Sequence, residues 1–80
     1  MKEIITIDSD YITLSQLLKG AGVIGTGGQA KWYLSEYTVL VDGETENRRG
    51  RKLYPGSSII IPEVGEFIIS SVTNEETADD

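Results

Sequence analysis

The sequence predicts an α+β domain in which two helices pack on one side of a small, mostly antiparallel sheet. One apolar, β-branched segment comes first, two segments with helical signals follow, and several short strand-like segments complete the order. Each helical segment begins at a threonine with a glutamine three residues later, which is the spacing of a capping box. Helices grouped before a run of strands favour the α+β class over an alternating α/β arrangement.

The first strand and the first helix are predicted within the first 22 residues. Residues 3–7 are apolar and β-branched, which is typical of a strand. Thr13 and Gln16 form the first capping box, and Gly20 and Gly22 end the helix that follows. The apolar face of this helix has the i, i+3, i+4, i+7 spacing, with Leu14, Leu17, Leu18 and Ala21.

The second helix is predicted to begin directly after the glycine-rich segment 25–28. Thr26 and Gln29 repeat the capping-box spacing. The predicted apolar face consists of Ala30, Tyr33, Leu34 and Tyr37. Trp32 projects roughly opposite that face, beside Lys31, because successive helical residues are about 100° apart. A large aromatic residue on the exposed side of a helix is a candidate for a functional contact.

The second half of the chain predicts strands joined by turns. The predicted strands occupy residues 38–41, 44–47, 57–61 and 65–72. Asp42-Gly43 is a strong signal for a two-residue hairpin turn. Pro55-Gly56 predicts a further turn, and Pro62 ends the pairing of the strand before it. The carboxylates of Asp42, Glu44 and Glu46 alternate through the hairpin, where solvent exposure is the expectation.

Length and charge define the domain boundaries. The 80 residues are enough for one small domain, which we place at residues 1–73 with its core at 11–61. Residues 74–80 are polar and acidic, and we expect them to be a disordered tail. Residues 11–61 carry a net charge of +2, whereas residues 62–80 carry −6. The acidic balance of the whole chain therefore hides a mildly basic middle.

Composition excludes several classes of function. The chain has no cysteine and no histidine, so disulfides, thiolate metal sites and the most common general base are all missing. No apolar run approaches the roughly 20 residues of a membrane span. The first residues lack the apolar stretch of a signal peptide, and we expect a cytoplasmic protein. We expect no cofactor, no metal, no membrane partner and no enzymatic activity, because no nucleophile has a visible activating group.

The most informative feature is a cluster of basic residues. Four of the seven basic residues lie within five positions, at Arg48, Arg49, Arg51 and Lys52, in a chain of net charge −6. A compact cluster favours a phosphate-binding site, because arginine can direct two donors to one phosphate. The alternative is a solvated loop between two strands.

The segment from Leu14 to Ile61 resembles the S-four RNA-binding domain, a small module named after a ribosomal small-subunit protein. The matching positions are Thr26, Ala30, Tyr33, Leu34, Val39, Val41, Asp42, Gly43, Pro55, Gly56 and Ile59. The stretches 27–32 and 46–56 resemble more narrowly the short stand-alone members of the YaaA-like group. Three residues depart from the pattern: Gly27 replaces an arginine, Tyr37 replaces a helix-ending glycine, and Ser57 replaces an aspartate.

The resemblance implies an S-four-like (alpha-L) fold with an added N-terminal strand. It also implies a non-catalytic module that recognises structured RNA, with ribosomal RNA and ribosomal particles as partners during ribosome assembly or maturation. The candidate RNA-binding residues are Thr26, Gly27, Gly28, Lys31, Trp32, Arg48, Arg49, Arg51 and Lys52.

Several of these assignments leave alternatives open. Trp32 could stack on an unpaired base, or could pack over neighbouring aliphatic stems or the N-terminal strand. The glycines at 27 and 28 could admit a phosphate to the helix N-terminus, or could form a simple linker. Lys19 serves the dipole of the first helix or contacts RNA. At the level of the whole protein, the alternative is an adaptor that docks an acidic protein partner through the basic loop.

The acidic residues of the predicted tail lead to a testable expectation. Glu75, Glu76, Asp79 and Asp80 would compete with phosphate for the basic loop. Truncation after Thr73 should therefore raise affinity for RNA at low salt, measured by fluorescence anisotropy. An unchanged or weaker affinity would assign the tail a solubilising role only.

Overall fold

A computed structural model describes residues 2–72. The elements are β1 (Lys2–Ile7), β2 (Ile12–Thr13), α1 (Leu14–Gly20), α2 (Gly27–Glu36), β3 (Val39–Val41), β4 (Glu44–Glu46), β5 (Lys52–Leu53), β6 (Ser58–Ile61) and β7 (Gly65–Ser71). Five strands form one sheet in the order β1-β7-β6-β3-β4, and β2 pairs with β5 in a separate two-stranded ribbon. The predicted α+β class is confirmed, and the ribbon is an addition that the sequence did not predict.

The main sheet is mixed rather than wholly antiparallel. β1 and β7 run parallel, with Ile4 beside Ile68, whereas every other neighbouring pair is antiparallel. In the strand order of this sheet, β1 lies at one edge and β4 at the other. This order places the strand before the basic cluster at the edge farthest from the chain's first strand.

Both helices begin at the predicted capping residues. The backbone N–H of Thr13 donates to Gln16 Oε1 at 2.8 Å, and the N–H of Gln16 donates to Thr13 Oγ1 at 3.3 Å. In α2, Gln29 Oε1 accepts the backbone N–H of Thr26 at 3.2 Å. These bonds satisfy donors that would otherwise be free at the helix N-termini.

The apolar faces of the helices meet the sheet in one core. The buried apolar residues are Ile7, Leu14, Leu17, Leu18, Ile24, Ala30, Tyr33, Leu34, Val39, Val41, Leu53, Ile59, Ile61, Phe67 and Ile69. The prediction for Tyr37 is wrong, because α2 ends at Glu36 and Tyr37 is 43% exposed in extended backbone. Its ring stacks on the ring of Tyr33 at the edge of the core, with the centroids 4.6 Å apart.

Two predicted turns have the backbone geometry that their residues favour. Asp42 (φ 53°) and Gly43 (φ 87°) are both left-handed, as a type I′ hairpin turn requires. At Pro55-Gly56, the N–H of Ser57 donates to the carbonyl of Tyr54 at 2.9 Å, and Gly56 has φ 99°. A positive φ after proline is the pattern of a type II turn.

Two further sequence expectations concern the membrane and the tail. Within residues 2–72, no helix combines the length and apolar character needed to cross a membrane. The predicted acidic tail at 74–80 lies outside the described residues.

The left-handed turn between β3 and β4 predicts a specific stability effect. Gly43→Ala should destabilise the protein by about 1–2 kcal/mol, because a Cβ atom disfavours left-handed backbone. Urea unfolding would measure this loss. Gly50→Ala is the matched control, because a Cβ atom at Gly50 meets no atom within 4 Å and no positive φ constrains the residue. Equal losses in both variants would contradict the assignment of the turn.

Candidate nucleic-acid interface

The loop between β4 and β5, residues 47–51, contains Arg48, Arg49 and Arg51. Its backbone is hydrogen-bonded to the start of α1. The carbonyl of Arg51 accepts the N–H of Leu14 at 2.8 Å, and the carbonyl of Arg49 accepts the N–H of Ser15 at 2.9 Å. These are donors of the first helical turn, which have no partner inside the helix. A further bond from the N–H of Arg51 to the carbonyl of Arg48 closes a turn within the loop. The loop therefore has a defined backbone conformation.

Glu46, the last residue of β4, organises two of the arginines. Its Oε2 accepts a hydrogen bond from Arg48 Nε at 2.9 Å, and its Oε1 accepts one from Arg48 Nη2 at 3.1 Å. The guanidinium and the carboxylate therefore form a bidentate pair. Arg51 Nη1 donates to the same Oε1 at 2.6 Å. The backbone N–H groups of Asn47 and Arg48 donate to Oε2. One carboxylate thus accepts five hydrogen bonds from the loop that follows it.

The expectation that Glu46 is exposed is wrong, since only 6% of the residue is accessible. Across the hairpin, Glu46 lies opposite Val39, whose side chain belongs to the core. Residues directly opposite each other in an antiparallel pair share a face of the sheet. The register of the hairpin therefore turns Glu46 inward, and a buried carboxylate needs charged or hydrogen-bonding partners.

These contacts shift the pKa values of Glu46 and Arg48 in opposite directions. Hydrogen bonds from the side chain and backbone of Arg48, and from the side chain of Arg51, lower the pKa of Glu46 to about 2 against the opposing effect of burial. The same carboxylate raises the pKa of Arg48. Arg48 remains 71% exposed, so donors that Glu46 does not occupy are accessible to a ligand.

Arg49 joins the loop to the second helix. Its Nη1 donates to the carbonyl of Gly27 at 3.2 Å, across 22 positions of sequence. Gly27 is the first residue of α2 and stands where the resembling family has an arginine. Lys31 is exposed and lies four residues later, on the same face of the helix. The structure therefore brings Arg49, the α2 N-terminus and Lys31 onto one surface.

Thr26 and Gly28 flank Gly27, and the structure places both at the exposed start of α2. The two other predicted site residues, Lys52 and Trp32, contact aromatic rings. Lys52 lies in β5, and its Nζ is 4.9 Å from the centre of the Tyr11 ring. Trp32 is 58% exposed, with its ring edge-on to Tyr33 and Tyr37 at centroid distances of 6.5 and 6.4 Å. Within residues 2–72, no hydrogen bond or ring contact joins Trp32 to the basic loop.

Sequence reasoning missed the aromatic pair beside the loop. Tyr11 precedes β2 and Tyr54 follows β5, and their ring centroids are 5.8 Å apart. Both lie just beyond the paired residues Ile12 and Leu53, so they continue the antiparallel register. A pairing of only two residues leaves too short a pattern to be found from the sequence.

Comparison with known proteins supports the fold. The sequence model of the S4 domain family matches residues 5–69. The chain belongs to the S4 domain family, the module that Leu14 to Ile61 resembles. A relative from Bacillus subtilis (strain 168), named "Probable ribosome maturation protein RlbA", is 57% identical over 63 residues. The aligned region covers 79% of this chain and 89% of that relative.

The Glu46 contacts predict a pH-dependent contribution to stability. A carboxyl whose pKa is lowered on folding stabilises the protein above its ordinary pKa, and this contribution is lost as the pH falls from about 4.5 towards 2. Glu46→Gln should therefore lower stability by about 1.5–3 kcal/mol at pH 7, the scale of hydrogen bonds to charged groups. The difference from the unmodified protein should shrink at pH 3.

Urea unfolding at both pH values measures this effect. Glu44→Gln is the matched control, since Glu44 belongs to the same strand and is exposed. A stability difference for Glu46→Gln that is the same at pH 7 and pH 3 would contradict the assigned ion pairs.

Proposed function

We propose that this protein is a non-catalytic, cytoplasmic RNA-binding protein that recognises structured ribosomal RNA during ribosome maturation. The observation that carries the proposal is the Arg49–Gly27 contact, which joins the basic loop to the exposed start of α2. The printed name of the Bacillus subtilis relative supports the ribosomal role. Membership of the S4 domain family supports RNA as the ligand.

The proposed binding surface combines Thr26, Gly27, Gly28, Lys31, Trp32, Arg48, Arg49, Arg51 and Lys52. Glu46 fixes the guanidiniums of Arg48 and Arg51, so less side-chain entropy is lost when they meet a phosphate. The carboxylate removes one charge and leaves three net positive charges on the cluster. Structured RNA presents its phosphates with a regular geometry, which a fixed set of donors can match.

A protein-interaction adaptor is the second candidate, in which the basic loop docks an acidic partner. The observation that favours it is the aromatic patch formed by Trp32 on α2 and Tyr37 directly after it, because exposed aromatic residues commonly anchor protein interfaces. The two candidates differ in their response to salt and to the loss of single cations in an RNA-binding assay.

The salt dependence of RNA affinity tests the proposal. Contact with about four phosphates predicts a slope near −3 for log affinity against log salt concentration, from roughly −0.7 to −0.9 per phosphate. Arg49→Ala and Lys31→Ala should each weaken binding and reduce the slope by about 0.7–0.9. Fluorescence anisotropy with fragments of ribosomal RNA at several salt concentrations gives both quantities.

Arg49 and Lys31 suit this test because neither supports Glu46. Changing Arg48 or Arg51 would leave the buried carboxylate short of partners and would confuse binding with stability. Lys2→Ala is the matched control, since Lys2 is exposed on β1 at the opposite edge of the sheet. If Arg49→Ala and Lys31→Ala bind RNA as tightly as the control Lys2→Ala, the proposed surface is rejected and the adaptor is favoured.

The identity of the RNA requires an experiment in cells. Crosslinking the protein to bound RNA and sequencing the attached fragments should recover ribosomal RNA. The Arg49→Ala variant should recover less of the same fragments. Recovery that is spread evenly over cellular RNA in both cases would contradict a ribosomal target.

A further inference from the structure

A groove beside the basic loop has an aromatic wall and a cationic wall. It is an open groove with a volume of about 380 Å³, and it is lined by Arg48, Gly50, Arg51, Lys52 and Tyr54. This volume is at the lower end of the range for small-ligand sites. Gly50 contributes only backbone to the lining, and Arg48, Arg51 and Lys52 contribute three cationic side chains. The only aromatic residue in the lining is Tyr54, which is 50% exposed.

Resting on the proposed RNA-binding function, we propose that this groove holds one unpaired nucleotide, with its base stacked on Tyr54 and its phosphate bound by the arginines. A base inside a helix has both faces covered by its neighbours, so only an unpaired base can stack on a protein side chain. The groove thus gives the interface a contact with the base as well as with the backbone.

The turn that begins at Tyr54 is hydrogen-bonded within itself and to β7 before any ligand binds. The carbonyl of Tyr54 accepts the N–H of Ser57, and its own N–H donates to Ser57 Oγ at 3.3 Å. The N–H of Gly56 donates to the carbonyl of Ile69 at 2.8 Å, which ties this turn to β7. The Tyr11 ring, directly before β2, contacts the Tyr54 ring with the centroids 5.8 Å apart and an interplanar angle of 56°. The backbone that carries Tyr54 therefore needs little further ordering when the ring stacks on a base.

The cationic wall is equally fixed. Glu46 holds Arg48 and Arg51 through hydrogen bonds of 2.6–3.1 Å. Lys52 Nζ lies over the Tyr11 ring, on the ribbon that carries Tyr54. A ring and several cations around one groove match the two parts of a nucleotide, a flat base and a charged phosphate.

Two RNA hairpins of identical charge test this site. One carries a single bulged adenosine, and the other carries an abasic ribose at the same position. Fluorescence anisotropy gives the affinity of each hairpin for the unmodified protein, Tyr54→Ala and Tyr54→Phe. The unmodified protein and Tyr54→Phe should prefer the adenosine by about 5- to 150-fold, the range measured for base–aromatic stacking. Tyr54→Ala should bind both hairpins equally.

Tyr37→Ala is the control for loss of an exposed tyrosine, and it should keep the preference. Unfolding curves of Tyr54→Ala establish that the variant is folded, and the comparison in the unmodified protein needs no variant at all. Equal affinity of that protein for the two hairpins, or a preference that survives in Tyr54→Ala, would overturn the nucleotide site. If binding of both hairpins also fails to depend on Arg49, the proposed RNA-binding function is rejected, and the site with it.

Discussion

The buried carboxylate of Glu46 is the interaction on which the basic surface depends. Without it, Arg48 and Arg51 would be long side chains on a short loop, each free to sample many rotamers. With it, both guanidiniums have fixed positions and the first residues of the loop are hydrogen-bonded to the end of β4. The cost is one negative charge inside a cationic cluster. Glu46 thus lowers the net positive charge of the cluster, and it gives the guanidiniums of Arg48 and Arg51 a defined geometry.

The loop is also the place where separate elements of the fold meet. Its carbonyls complete the hydrogen bonding of the α1 N-terminus, and Arg49 reaches the first residue of α2. β5 leaves the loop and pairs with β2, the strand that leads into α1. A displacement of the loop would therefore disturb both helices. This connectivity explains how a chain of 80 residues with no disulfide can hold a cationic surface in one shape.

Local signals in the sequence were sufficient to predict both helices and the five strands of the main sheet, but not the contacts between them. Both capping boxes, the Asp42-Gly43 hairpin and the apolar faces could be read because each depends on residues close together in the chain. The burial of Glu46 follows from the same hairpin: a two-residue turn pairs Val41 with Glu44 and Val39 with Glu46. Tracing that register would have placed the carboxylate on the core side of the sheet.

Other features had no local signal. The Arg49–Gly27 bond spans 22 positions, and the β2–β5 ribbon has only two residues in each strand. α2 ends at Glu36 without a glycine to mark its end, and the Tyr37 ring beyond it stacks on the ring of Tyr33. These contacts are the ones that turn a basic segment into a surface shared with α2.

We propose that the basic loop and the start of α2 form a single surface for RNA. Following backbone amide signals by NMR during titration with a ribosomal RNA fragment tests this most directly. We expect chemical-shift changes to concentrate at residues 26–31 and 48–52 together, while the signals of β1 stay unchanged. Shifts confined to one of those two segments, or centred on β1, would contradict it.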